Sequence, residues 1–467
     1  MIFEYLKNFG LQTTWEALIY NLSHNENFTP HEEIKENLLK NKSYYEISDL
    51  YEESLAFVNK INKKKNGQYY TPQDVSAFLA KQSDLFNDGI WCDPCCGIGN
   101  ISYELLKLKP QLLDTMYFYD IDSMALKICR FLFSFFFGKK YEELVNFKNI
   151  NFLNSNDKFD YIIMNPPYGK CGEEDLYVTF MKKACEYKGF ISITPQSFTN
   201  STNKPSIELK DRLLNYSFLN IYCFDNVPDC IFNGRKKGIF NQNTSISVRA
   251  AITIANNLKE EKKITPLIRW KTADRQKMFA SCHEQLNNLK TFRGKILKTF
   301  PNTNYFNFGG FELKDIISNV PTEYKLTIPS TPRYYITASI RDLDRSSKHI
   351  LYFKNKEDFH SAYLILNSSY AYWWWRICDG GMTLGLSTLL SLKVKKVMND
   401  ELFNELLEEE KTHLVFKKNA GKLNENIKHS NKLINKLDNF LFKIGKKNAT
   451  SLEWHMNCHN YYINNSF

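Results

Sequence analysis

FDYIIMNPPYG, Phe159–Gly169, is the stretch on which the fold turns. The run from Phe159 to Met164 has the length and apolar content of a buried strand. Asn165, Pro166, Pro167 and Tyr168 follow without a break. Two prolines cannot extend a hydrogen-bonded ladder, so the strand ends at Asn165. Each proline fixes its own φ and restricts the residue before it. The result is a stiff corner carrying a carboxamide, a backbone carbonyl and a flat ring at a strand end.

Working outward from that corner, short apolar runs alternate with amphipathic stretches between Gly67 and Asn256. The expected strands are Ile90–Pro94, Met116–Asp120, Asn149–Leu153, Phe159–Asn165 and Phe190–Thr194, then Phe218–Phe224 and Ser245–Ala255. Ser123–Phe137 and Glu174–Tyr187 read as helices between them. Such alternation predicts an α/β fold, an open and mainly parallel sheet with helices on both faces. The last two strands lie close in sequence, which predicts an antiparallel edge.

The first sixty or so residues read as a short helical N-terminal segment. Thr29, Pro30 and Glu32 supply a cap, a first helical residue and a capping-box acid. Lys63–Lys65 and Gly67 read as a linker. Beyond Asn256 the periodicity turns irregular and aromatic at Phe300–Gly310, Thr331–Ile340 and Ala371–Arg376, then helical and charged over Asp400–Lys446. The expected organisation is a helical segment over residues 1–64, a catalytic domain over 65–256 and a C-terminal mixed α/β domain with a helical tail over 257–467.

The chain of 467 residues is 43% hydrophobic and 15% aromatic, enough for packed cores. Its formal net charge of +10 suits a polyanionic partner, and a lysine-rich proteome equally. The start, MIFEYLKNFGLQTTWEALIY, mixes charged and polar residues into its apolar positions and does not read as a signal peptide. The most apolar stretch, Ile128–Gly138, is shorter than the ~20 residues of a membrane span and reads as a buried helix. Eleven irregularly spaced cysteines point to reduced thiols and a cytoplasmic location. Cys92, Cys95 and Cys96 cluster without a second pair at zinc spacing, so no metal is expected.

In an open parallel sheet, ligands bind beyond the carboxyl ends of the strands. Three stretches stand there: Asp93 to Asn100 with Gly97 and Gly99, then Asp120, then Asn151 and Phe152. Glycines admit close backbone approach, though a plain turn would also use them. Asp120 falls about 20 residues past Gly97, the spacing of an acid that holds ribose hydroxyls. Asp122 reads as the cap of the next helix. Asn151 and Phe152 could read and cover an adenine ring.

No third glycine completes a dinucleotide fingerprint, and Asp93 would repel a diphosphate. A cationic ligand, such as the sulfonium of S-adenosylmethionine with its ammonium group, suits that carboxylate. Upstream, Thr71 and Pro72 read as the cap and first residue of a helix whose apolar face is Val75, Phe78 and Leu79. Its free backbone N–H groups would attract the carboxylate of the donor. Tyr69 and Tyr70 suit a wall beside the methionine part.

The corner has a matching use. An exocyclic amine is a poor nucleophile because its lone pair is delocalised into the ring. If Asn165 Oδ1 and the Pro166 carbonyl accept both amino hydrogens, the nitrogen is drawn toward tetrahedral geometry. Pro166 and Pro167 preorganise the pair, and Tyr168 offers a face for a base turned out of a duplex.

These stretches resemble the amino-directed adenine-N6 DNA methyltransferases in which the cofactor motifs precede NPPY and the recognition domain is C-terminal. The resemblance covers roughly residues 67–256. It is carried by Tyr70-Thr71-Pro72, Asp93 to Gly99, Asp120-Ile121-Asp122, Asn151-Phe152-Leu153 and Asn165-Pro166-Pro167-Tyr168. It implies a Rossmann-like, seven-stranded sheet binding S-adenosylmethionine, with Tyr70, Thr71, Asp93, Cys95, Gly97, Gly99, Asp120, Ile121, Asn151 and Phe152 around the donor. It further implies methyl transfer to adenine in double-stranded DNA within a restriction–modification system, a target-recognition role for residues 257–467, and a companion restriction endonuclease. Asn151 departs from the family, which commonly has an aspartate there. For the aromatic opposite Tyr168 the candidate is Phe232, with Phe240 the alternative. Arg235, Lys236 and Lys237 would hold phosphates or form a solvated loop. In Thr331–Arg345, basic residues interleave with aromatics as phosphate and base contacts would.

Other readings remain open on sequence. A protein-glutamine or RNA methyltransferase could use the same corner on another planar amide or amine. A combined restriction–modification enzyme would need a nuclease domain of about 150 residues, longer than the N-terminal segment. A non-catalytic DNA-binding scaffold would not need Asn165, Pro166, Pro167 and Tyr168 intact.

Overall fold

A computed structural model describes residues 1–58, 71–226, 229–232, 248–298, 308, 310–332, 335–379, 383–419 and 422–442. The chain divides into two compact units: Met1–Ile264 with Phe279–Asn288, and Thr265–Met278 with Leu289–Phe467.

In the first unit, helices α1 (Ile2–Ser23) and α2 (Tyr44–Val58) precede α3 (Gln73–Lys81). Then come β1 (Trp91–Asp93), α4 (Asn100–Leu108), β2 (Tyr117–Asp120), α5 (Ser123–Phe137), β3 (Phe147–Asn149) and β4 (Tyr161–Met164). A small hairpin of β5 (Lys170–Cys171) and β6 (Glu174–Asp175) leads to α6 (Leu176–Ala184), β7 (Gly189–Pro195), α7 (Lys204–Leu214), β8 (Phe218–Phe224) and β9 (Ala250–Asn256). β10 (Glu261–Ile268) and β11 (Asn287–Asn288) complete the sheet, whose order is β11-β10-β8-β9-β7-β4-β1-β2-β3.

Strands β3, β2, β1, β4 and β7 run parallel, and β9 is antiparallel to both β7 and β8. This is a Rossmann-like sheet. Its order reverses beside β1: the chain moves from β1 out to β2 and β3, then crosses to β4 on the other flank. The crevice beyond β1 and β4 is therefore the switch point, where ligands bind in such sheets.

Burial explains the strand sequences. Ile162, Ile163 and Met164 have no exposed surface, and every residue of β8 and β9 is buried. A strand covered on both faces carries a continuous apolar run rather than an alternation. α5 begins where Asp122 accepts from the Met124 and Ala125 amides, at 3.0 and 3.1 Å, and ends at Gly138 with φ of 67°.

Several expectations need correction. The reversed strand β9 is not an edge but lies inside the sheet, between β7 and β8. A buried ion pair, Arg249 Nε to Asp225 Oδ1 at 2.7 Å, ties the end of β8 to the start of β9. Thr29–Glu32 does not open a helix. Phe28 and Ile34 are buried on either side and the Thr29 amide donates to Glu16 Oε2 at 3.0 Å, which leaves no room for a helical turn to run on. The third strand ends at Asn149, and Phe152–Asn154 form a 3-10 turn. The segment Lys63–Lys65 with Gly67 lies outside the described residues.

The second unit is mixed α/β. A three-stranded antiparallel sheet, Ile317–Ser318, Lys348–Phe353 and Lys325–Pro329 in that order, packs with helix Lys356–Leu366, which in turn packs on helix Ser369–Cys378. Trp373, Trp374 and Trp375 are at most 4% exposed and belong to its core. Glu410 is buried and accepts from the Tyr363 hydroxyl at 2.6 Å and the Ser339 hydroxyl at 2.8 Å. The expected helical tail is broken. Helix Asp400–Thr412 is followed by the hairpin Leu414–Asn419 with Lys422–Ile427, and only then by helix Asn431–Phe442. Leu414, Val415 and Phe416 favour a pleated strand.

Candidate active site

Beyond the carboxyl ends of β1, β2 and β4 lies a cavity of about 360 Å³. β1 delivers Asp93 to its wall, β2 delivers Asp120 and β4 delivers Asn165, as the order β4-β1-β2 requires. Thr71, Cys95, Gly97, Ile121, Pro166 and Pro167 also line it. Residues seventy and more apart in sequence thus share one wall.

Asp93 is 2% exposed. Its Oδ2 accepts from the Ser102 hydroxyl at 2.6 Å and its Oδ1 from the Cys95 amide at 3.4 Å. Burial pushes it up to about 7, partly offset by the Ser102 hydrogen bond. Asp120 accepts from the Gly97 amide at 2.7 Å and the Asp122 amide at 2.8 Å. Burial raises it to about 6 against those two bonds.

The glycine loop owes its shape to two left-handed residues, Gly97 at φ 55° and Gly99 at φ 91°. Gly99 has a second reason to lack a side chain. A Cβ there would stand 2.7 Å from both Cys129 Sγ and the Phe133 ring, so the loop could not seat on α5. Gly99 itself is behind the cavity wall; Gly97 is on it.

At the corner, Asn165 Nδ2 donates to the Thr71 hydroxyl oxygen at 3.1 Å, and the Cys95 thiol donates to the Asn165 carbonyl at 3.3 Å. Thr71 is therefore not the helix cap expected of it. α3 starts at Gln73 with Pro72 as N-cap, and the Thr71 hydroxyl turns to Asn165 instead. The Tyr168 hydroxyl donates to the Ile193 carbonyl at 3.3 Å, which fixes the ring at the end of β7. Its ring stands edge-on to Phe232, with centroids 6.1 Å apart and planes at 69°, and to Tyr177 at 6.4 Å. Phe232, the sequence candidate, is thus brought to Tyr168.

Besides Gly99, two expected donor contacts are not brought to the cavity wall. Asn151 spends its Oδ1 on the Leu153 amide at 3.0 Å, capping the turn that follows. Phe152 is 1% exposed and packs against Phe180 at 5.8 Å and Tyr187 at 6.1 Å. The aromatic side chain that lines the cavity is Phe180 of α6. Leu176 and Ile101 join it. Lys170, just past the corner, lines the opening and pairs with Asp175 at 2.7 Å. Tyr70, Phe240, Arg235, Lys236 and Lys237 lie outside the described residues.

In the second unit, the described basic residues of Thr331–Arg345 are bound to scaffold. Arg345 bonds Ser347, Asn426 and Thr331, at 2.9, 2.5 and 3.0 Å, and Arg341 pairs with Glu425 at 3.1 Å.

Residues 42–189 match the family model described as N-6 DNA Methylase. That stretch contains α2, the glycine loop, both acids and the NPPY corner. The chain is also 34% identical over 156 residues to the type II methyltransferase M.VspI of Vibrio sp. (strain 343), a match that takes in 30% of this chain and 34% of that protein. It therefore spans about a third of the length of that curated relative. Among solved structures, the type IIG restriction endonuclease BpuSI aligns over 99% of this chain and 79% of its own, at 11% identity and a TM-score of 0.44. The DrdV–DNA complex aligns over 64% of this chain and 39% of its own, at 14% identity and a TM-score of 0.45.

Proposed function

We propose that the protein is a site-specific DNA methyltransferase that moves a methyl group from S-adenosylmethionine to the N6 amino group of a flipped-out adenine, as the modifying component of a restriction–modification system. The carrying observation is that Asn165, Pro166 and Pro167 share one cavity with Asp93 and Asp120 at the switch point of the sheet. The N-6 DNA Methylase match over residues 42–189 supports the same reading.

The cavity fits such a donor by its chemistry. Its volume lies in the ~300–1,000 Å³ range of small-molecule sites. Asp93 is a buried acid that burial holds partly protonated, so a cation beside it would relieve a standing desolvation cost. Asp120, anchored by two amides, would accept from ribose hydroxyls. When bound, S-adenosylmethionine supplies an electrophilic methyl group on a positively charged sulfur.

The chain does the rest. Asn165 Oδ1 and the Pro166 carbonyl accept the two amino hydrogens and draw the nitrogen out of conjugation. The prolines hold these acceptors without reorganisation at the moment of reaction. Tyr168 stacks on the extruded base, with Phe232 edge-on to its ring. No strong base is needed, because the proton can leave to water after transfer. Methyl transfer assayed on duplex DNA, RNA and protein tests the reading; label on protein or RNA alone contradicts it.

Tyr168→Ala should weaken binding of the flipped base by roughly 1–3 kcal/mol, the worth of one base–aromatic stack. 2-Aminopurine fluorescence at the target position reads this, and a wild-type signal in the variant would remove Tyr168 from the base site.

A pH dependence follows as well. Asp93 and Asp120 titrate near 7 and 6 in the folded protein. As pH rises through that window both lose protons, and attraction for a cationic donor grows. Donor affinity measured by calorimetry should be about tenfold weaker at about pH 5.5 than at about pH 8. A flat profile would mean that neither carboxyl faces the donor.

A further inference from the structure

The hydroxyl of Thr71 and the carboxamide of Asn165 are joined across 94 residues of sequence, at 3.1 Å. Thr71 is 3% exposed, and its own backbone is held on the far side. Its carbonyl accepts from Asn100 Nδ2 at 3.0 Å and from the Ser76 hydroxyl at 3.4 Å. Asn100 is 4% exposed, and its Oδ1 accepts from the Ser48 hydroxyl at 2.9 Å. A continuous chain of hydrogen bonds therefore runs from α2 through the first residue of α4 to the corner after β4.

A carboxamide is planar, and its two ends differ in chemistry: a nitrogen that donates and an oxygen that accepts. An amine that must donate both its hydrogens in hydrogen bonds is served by the oxygen and repelled by the NH₂. The orientation of the group is therefore part of the mechanism, and the bond to Thr71 puts the nitrogen on one edge and Oδ1 on the other. The Cys95 thiol at the Asn165 carbonyl pins the backbone of the same residue.

We infer that Thr71, braced by Asn100 and Ser48, is a positioning residue that fixes the Asn165 carboxamide with its oxygen toward the substrate amine. This rests on Asn165 being the acceptor of that amine. It gives Thr71 a task in transfer, distinct from contact with the donor, and it makes α2 part of the machinery that sets the rate.

The test uses Thr71→Val, which keeps the shape and removes the hydroxyl, and Thr71→Ser, which restores it. Two readouts are taken on the full chain: the single-turnover rate of methyl transfer at saturating S-adenosylmethionine and duplex DNA, and the side-chain 15N–1H signals of Asn165 in the protein alone. Thr71→Val should lower the rate by about 10- to 100-fold, the scale of a misplaced reacting group, and shift the Asn165 signals. Thr71→Ser should return both to near wild type. Unmoved Asn165 signals in Thr71→Val would overturn the inference. So would an unchanged rate at saturation with only donor affinity weakened, because Thr71 would then be a donor ligand alone. If the signals move as expected but the wild-type protein methylates no DNA, the positioning contact stands and the functional reading falls.

Discussion

Asn165→Ala should slow methyl transfer by about 10³-fold, the scale of losing a preorganised polar group at a reacting centre, while donor affinity stays within about threefold of wild type. The two quantities separate because, on the proposed reading, the carboxamide serves the amine and not the donor. Asp93, Asp120 and the glycine loop remain in place around the donor, held by Ser102, Cys95 and Gly97. The residue is partly exposed at a corner rather than packed in the core, so alanine leaves no large cavity behind. A filter assay with tritiated donor gives the rate and calorimetry the affinity. A variant that transfers at the wild-type rate would remove Asn165 from the chemistry.

Asp93→Asn should do the reverse: donor affinity should fall by about 100-fold, the weight of losing one buried charge contact of roughly 3 kcal/mol, and the unliganded protein should become more stable. The sign follows from linkage. The Asp93 carboxyl sits near 7 in the folded chain, above the ~3.9 of an unfolded aspartate, so the folded state holds its proton more tightly. That contribution favours folding fully below about pH 4 and is lost as pH rises through about 7. At about pH 8 the ionised, buried group costs on the order of 4 kcal/mol, and asparagine carries no such charge. The variant should therefore melt at a higher temperature than wild type at pH 8 and the difference should shrink toward pH 4. Equal melting at both pH values would mean that Asp93 is solvated in the free protein.

What could be read from the sequence follows the range of the interactions involved. Phe218–Phe224 and Ser123–Phe137 are set by local pattern, and the structure has both with the expected ends. The place where the chain turns at Asn165 follows from proline chemistry alone. The position of β9 does not, because closeness to β8 in sequence says nothing of the second partner, β7, between which and β8 the strand inserts. Thr29–Glu32 carries a helix-start pattern that tertiary anchoring of Phe28 and Ile34 overrides. At the site, Asp93, Gly97 and Asp120 were legible because charge and left-handed backbone leave marks in one residue. Phe180 was not, since an aromatic at helical spacing looks like core until the cavity it faces is known. Phe152 failed for the mirror reason: its ring packs into the core beside Phe180 instead of facing a ligand. Thr71 was placed near the donor on the strength of its helix start, and its bond to Asn165 became visible only when β4 and the residue before α3 were side by side.

The most direct measurement is nucleoside mass spectrometry of unmethylated duplex DNA after incubation with the purified protein and S-adenosylmethionine carrying a deuterated methyl group. The account predicts deuterated N6-methyl-2′-deoxyadenosine in the DNA digest, lost in Asn165→Ala. A digest without label, or with label only on cytosine, would contradict it.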